Sequence, residues 1–146
     1  MFLEAFKKQW YETYWVFDLH GTIIKPTYQG TEMIFYPWAL ETLQSLCLYR
    51  PDIKKILWTS SFPNEIDIYL EGFKREGIVF EGINENPNIS SKNGNFGFYE
   101  KKFYFNILID DKAGFDPEKE WQNLYWFLDD CYANEFLPDP AWTTKF

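Results

Sequence analysis

At 146 residues, 46% of them hydrophobic, the chain has the length of one domain and enough apolar mass to bury a real core. Its net charge of −8 withholds the broad positive field that draws nucleic acid non-specifically, and no segment approaches membrane-spanning length. Aromatic residues make up 22%, more than a small domain can leave exposed, so most are expected inside.

Met1 to Trp10 mixes Glu4, Lys7 and Lys8 into a short apolar stretch and lacks the apolar run of a signal peptide. Tyr14 to Phe17 is a compact aromatic and β-branched run ending in Asp18, which reads as a buried strand. Residues 37 to 49 suit a helix, with Pro37 in its first turn and Leu40, Leu43, Leu46 and Cys47 on one face. Lys55 to Trp58 reads as a second strand, closed by Thr59-Ser60-Ser61. Asn64 to Arg75 repeats Ile66, Tyr69, Leu70 and Phe73 at helical spacing, and Gly77 stops it.

Ile78 to Phe80 reads as a short strand toward an edge. Asn84 to Gly97, rich in Asn, Ser, Gly and Pro, reads as a loop. Phe103 to Ile109 is the third strong strand, ending in Asp110-Asp111. Pro117 to Tyr132 reads as a helix with Trp121, Leu124, Tyr125 and Leu128 on its apolar stripe, and a surface tail pinned by Phe136 and Trp142 follows Ala133. The two cysteines, Cys47 and Cys131, fall in separate predicted helices with no metal-site spacing. They are read as free thiols of a cytoplasmic protein, and residues 1–146 as a single domain.

Strands alternating with helices predict an α/β fold with a mainly parallel sheet covered on both faces. Ligands of such sheets bind at the carboxyl ends of the strands. Here the three strong strands end in Asp18, in Thr59-Ser60 and in Asp110-Asp111. Each feature alone has a plainer reading as a cap, a turn or a solvated pair. Their joint placement is what points to a site. Hard cations such as Mg²⁺ take oxygen ligands, often only one or two carboxylates, and offset the repulsion between a carboxylate and an incoming phosphate. A carboxylate so placed can attack phosphorus and form an acyl phosphate that water cleaves.

These residues resemble the haloacid dehalogenase-like superfamily of Asp-nucleophile phosphatases. The family's first motif, an apolar run followed by D-x-D-G-T, is matched by Val16-Phe17-Asp18-Leu19-His20-Gly21-Thr22, except at His20. The second, an apolar strand ending in Thr or Ser, is matched by Ile56-Leu57-Trp58-Thr59. The fourth, an acidic pair and a further Asp, is matched by Asp110-Asp111 and Asp116. The third is a lone lysine, for which Lys102 is best placed, then Lys101, then Lys92.

The resemblance implies a three-layer Rossmann-like sandwich and Mg²⁺-dependent phosphohydrolase activity. It implies Asp18 as nucleophile and metal ligand, His20 as a ligand through its backbone carbonyl, and Asp111 as a ligand with Asp110 as ligand or support. Thr22, Thr59, Ser60 and Lys102 would hold the phosphate, with Lys102 also neutralising charge at Asp18. In typical members the His20 position is an Asp that serves as general acid and then base. His20, the chain's single histidine, is either a substitute acid–base group or a spacer or specificity residue.

About 40 residues separate Asp18 from Thr59, and a similar number separate Thr59 from Lys102, which the predicted elements nearly fill. That leaves no room for a folded cap domain. An open site is expected, covered at most by Lys25 to Tyr36 and Asn84 to Gly97 and accepting a phosphorylated small molecule or macromolecule. Trp38, Trp58 and Tyr99 are either core or contacts for a substrate ring. The alternative function is a weakly active or inactive binding module for a phosphorylated ligand or partner. A dehalogenase ranks third, because the acidic fourth motif suits a metal.

Overall fold

In the computed structural model, which describes residues 7–8, 10–27, 30–89 and 102–133, alternation along the first strand decides the layers. β1 (Thr13–Asp18) is buried on both sides. Trp15 and Phe17 face one core, while Tyr14 and Val16 face another. β2 (Ile53–Trp58) runs parallel to it, pairing Thr13 with Ile53 through to Asp18 with Trp58. β3 (Gly82–Ile83) adds to the outer side of β2, and β4 (Ile107–Ile109) to the free side of β1. The sheet is four-stranded, all parallel, in the order β3-β2-β1-β4. The α/β, parallel-sheet architecture expected from the alternation of elements is what the chain adopts.

Among the described residues, three α-helices cover one face. α1 (Ala39–Tyr49), α2 (Pro63–Arg75) and α3 (Glu120–Ala133) send Leu43, Leu46, Tyr69, Phe73, Trp121 and Leu128 into the core containing Trp15, Phe17, Ile53 and Leu57. The opposite face, with Tyr14, Val16 and Ile56, is covered by Ile89, Phe103, Tyr104 and Phe105. Connection handedness explains this division. β1→β2 and β2→β3 step outward in one direction and carry their helices on one face. β3→β4 steps back across the sheet, and a right-handed connection must then cross the other face.

Several predicted boundaries are corrected. The edge strand lies at Gly82–Ile83, not at Ile78 to Phe80. The Ile78 amide instead closes α2 by donating to the Phe73 carbonyl at 2.9 Å, and Phe80 packs on Phe17 and Phe73. The third strong strand is only Ile107–Ile109, because Asn106 interrupts the ladder: the Tyr14 amide donates to Asn106 Oδ1 at 2.7 Å. Pro37 lies before α1, whose N-cap is Trp38 at φ +67°. α3 begins at Glu120 rather than Pro117, after a turn.

No helix among the described residues is long and apolar enough to cross a membrane, and Cys47 is a free thiol. The Cys131 side chain, Tyr99, Lys92, Lys101, the loop from residue 90 onward and the tail with Phe136 and Trp142 lie outside the described residues. Between β1 and α1 the described chain holds only single bridges, Ile24 to Phe35 among them, and four residues join β2 to α2, so neither segment carries an inserted domain.

Candidate functional site

Strand order reverses between β1 and β4, so the crevice where α/β sheets bind ligands opens at the carboxyl ends of those two strands. Phe17 registers with Ile109, which brings the following residues, Asp18 and Asp110, to the same level. One carboxylate oxygen from each of Asp18, Asp110 and Asp111 lies within 4.8 Å of the others, and all three residues are partly buried.

The turn after β1 is built to hold this arrangement. The amides of Thr22, Ile23 and Ile24 converge on the Leu19 carbonyl, and the Gly21 amide donates to Ile24. None of these bonds goes to the carbonyl of His20. Gly21 sits at φ +87°, and a Cβ there would lie 3.0 Å from Asp111 Oδ2, so both backbone and space demand glycine. Thr22, fully buried, donates its hydroxyl to Asp18 Oδ2 at 2.9 Å and accepts the Asp111 amide at 2.9 Å. Its carbonyl accepts the indole N–H of Trp121 at 2.8 Å, tying the turn to α3. Thr22 thus braces the carboxylates, a different part from the phosphate contact that the resemblance implies.

Asp110 caps a 3₁₀ turn, Asp111–Ala113, by accepting the Lys112 amide at 2.8 Å. Lys112 Nζ lies 3.6 Å from Asp111 Oδ1 and is largely exposed. Burial pushes the Asp18 carboxyl above its ordinary value, and Asp110 and Asp111 add to this. The Thr22 hydrogen bond and the Lys112 charge oppose it. Lys112 is the cation that sequence reasoning missed. Its position directly after Asp110-Asp111 was the available signal.

The remaining predicted residues fall around this cluster. His20 Nε2 is hydrogen-bonded to the Tyr69 hydroxyl at 3.1 Å, with the rings edge-to-face. Tyr69 is 2% exposed, and burial, with Glu65, pushes its phenol up, so it stays protonated near neutrality. Thr59 is buried and clamped by Asn84, which accepts its amide and donates to its carbonyl, both at 2.8 Å. The Thr59 hydroxyl pairs with Ser61 Oγ at 2.8 Å and accepts the Ser61 amide at 3.1 Å, while Ser60 is exposed. Lys102 is exposed and directly precedes Phe103, whose ring contacts Trp58, the register partner of Asp18. Asp116 is not among the three clustered acids and precedes the turn before α3, where Glu120 accepts its amide and its side chain accepts that of Glu118. A cavity of about 610 Å³ opens elsewhere, at the amino ends of β1 and β2, lined by Trp10, Tyr14, Lys54 and Tyr104, so the acidic cluster is not its floor.

The donor set suits a hard divalent cation. Three oxygen donors converge, Asp110 and Asp111 raise the cost of ionising Asp18, and Lys112 is the cation beside them among the described residues.

No family model matches the chain, and no curated protein does. The solved structure of a conserved protein from Bacteroides thetaiotaomicron is similar at 24% identity, with a TM-score of 0.61 over 82% of this chain and 91% of that one. At that identity the likeness speaks to the fold.

Proposed function

We propose that the chain is a capless phosphohydrolase of the haloacid dehalogenase-like type, acting through an aspartyl phosphate on Asp18. The observation that carries this reading is the meeting of Asp18 with Asp110 and Asp111 at the switch point, joined through Thr22. Thr22 holds Asp18 Oδ2, which leaves Oδ1 without a hydrogen bond among the described residues. Oδ1 then attacks phosphorus as the ester P–O bond breaks, and the leaving oxygen takes its proton from solvent water. Water next attacks the same phosphorus, releasing phosphate and restoring the Asp18 carboxylate. Asp18, Asp110, Asp111 and the His20 carbonyl would hold Mg²⁺, which supplies charge neutralisation at the phosphoryl oxygens. Lys112 adds a mobile positive charge beside them, and Lys102 is a second cation on the connection next to Trp58. The test is hydrolysis of an aryl phosphate with Mg²⁺, abolished by Asp18→Asn, with beryllofluoride captured on Asp18. Inactivity across a broad phosphoester panel counts against it.

One observation favours the second reading, a binding module on the same fold. One ring nitrogen of His20, Nε2, is engaged by the buried Tyr69 hydroxyl, which turns that edge of the imidazole toward the core. His20→Asp separates the two: a large gain in turnover marks a repurposed enzyme, whereas a loss assigns the imidazole a part in the reaction.

A further inference from the structure

Trp58 is large, apolar and 44% exposed, although it ends a strand whose other apolar residues are buried. It is the register partner of Asp18, in the row of side chains that contains Val16 and Ile56. Its ring meets Phe103 at 5.3 Å between centroids and 36°, and Phe103 in turn contacts Phe105 at 5.7 Å. The Trp58 indole is thus held from the side of the β3–β4 connection while much of its surface remains open beside the acidic cluster.

Resting on the phosphohydrolase reading, we propose that Trp58, steadied by Phe103, is a specificity-determining platform for the leaving group and that the substrates are aryl phosphates. Neighbouring strands stand about 4.8 Å apart, so a ring bonded directly to the ester oxygen of a phosphate at Asp18 comes level with Trp58. A nucleobase set off from its phosphate by a sugar overshoots that distance. The partly exposed acids accept the phosphate, with a cation between, and the indole accepts the ring by stacking. A free aryl phosphate and a phosphotyrosyl side chain share this chemistry.

The probes are phenylphosphonate and methylphosphonate, which resist hydrolysis, titrated with Mg²⁺ into the full chain and followed at the indole N–H resonance assigned to Trp58 by its loss in Trp58→Phe. Phenylphosphonate is expected to bind about tenfold tighter, the size of one ring-stacking contact, and to shift that resonance. Trp58→Ala removes the preference and Trp58→Phe keeps part of it, with unchanged amide spectra elsewhere showing that the variants fold. A short peptide carrying phosphonomethyl-phenylalanine distinguishes the sources: binding tighter than phenylphosphonate places the ring on a protein, and equal or weaker binding places it on a small molecule. Equal affinity for the two phosphonates, no binding of either, or a preference that survives Trp58→Ala overturns the platform. The phosphohydrolase reading fails separately. Turnover without ring preference leaves it standing and removes the platform, whereas a Trp58-dependent preference without turnover does the reverse.

Discussion

Asp18 and Asp111, from opposite halves of the chain, are joined by one buried hydroxyl: Thr22 donates to the Asp18 carboxylate and accepts the Asp111 amide, each at 2.9 Å. The hydroxyl uses both its donor and an acceptor position, so it sets the distance between the two strand ends. Thr22→Val keeps the shape and removes both bonds. The buried groups left unpaired make the expected loss of stability about 1–3 kcal/mol. Divalent-cation affinity should fall as well, while Thr22→Ser retains most of both. Denaturant unfolding and calorimetric titration with Mg²⁺ check the pair.

Asp18 has a carboxyl raised by burial, so the folded state binds its proton more tightly than the unfolded state does. The sign follows: any stabilisation from this group is complete below the unfolded value, about 3.9, and is lost as pH rises through the higher folded value. Metal-free protein at pH 7 should therefore be stabilised by Asp18→Asn, with the gain vanishing below about pH 4. Added Mg²⁺ should raise the Tm of the parent protein and leave that of the Asp18→Asn variant nearly unchanged. Equal metal responses in the two would remove Asp18 from the cation site.

Tyr69→Phe deletes the hydroxyl that holds His20 Nε2 and fills nearly the same space. A cost of about 1 kcal/mol is expected. Because the chain has a single histidine, its ring ¹⁵N resonances are unambiguous and should report a changed tautomer balance in the variant. An unchanged histidine spectrum would mean that Tyr69 does not orient the imidazole.

Lys112 stands near Asp111 and lowers the proton affinity of Asp18, so it competes with any cation bound there. Lys112→Ala should tighten Mg²⁺ binding by roughly two- to threefold at low salt, and the difference should fade at high ionic strength. If Lys112 also meets the phosphate, the same variant binds phenylphosphonate more weakly. Titrations with each ligand separate the two contributions.

The site was legible where the chain repeats a simple rule. Tyr14 to Phe17 has to be buried on both faces, its strand ends at an acid, and Ile107 to Ile109 repeats the arrangement; adjacency in a parallel sheet does the rest. What could not be read depends on partners distant in sequence. The run Phe103 to Phe105 is as apolar as a strand, yet Asn106, whose amide donates to the Tyr14 carbonyl, meets the Tyr14 amide with its side-chain oxygen in place of a main-chain carbonyl, and the three aromatics turn over the sheet. Ile78 and Phe80 look like a strand and instead close α2 and fill the core beside Phe73. The edge falls to Gly82, where a Cβ would clash with the Glu85 carbonyl oxygen, a close approach no periodicity reveals. Helical spacing puts Tyr69 on the apolar face of its helix, but nothing in that spacing shows that its hydroxyl meets His20.

The one-sided placement of the helices has a consequence for how this fold can change. The carboxylates are anchored from the helical side, through Trp121 and Thr22, whereas the ring beside them is steadied from the other side by Phe103. On the proposed reading, a descendant could exchange or lengthen the β3–β4 crossing without disturbing the acids, acquiring a new preference while inheriting the old chemistry intact. Reactivity and selectivity would in that sense be written on separate pages of the same sheet.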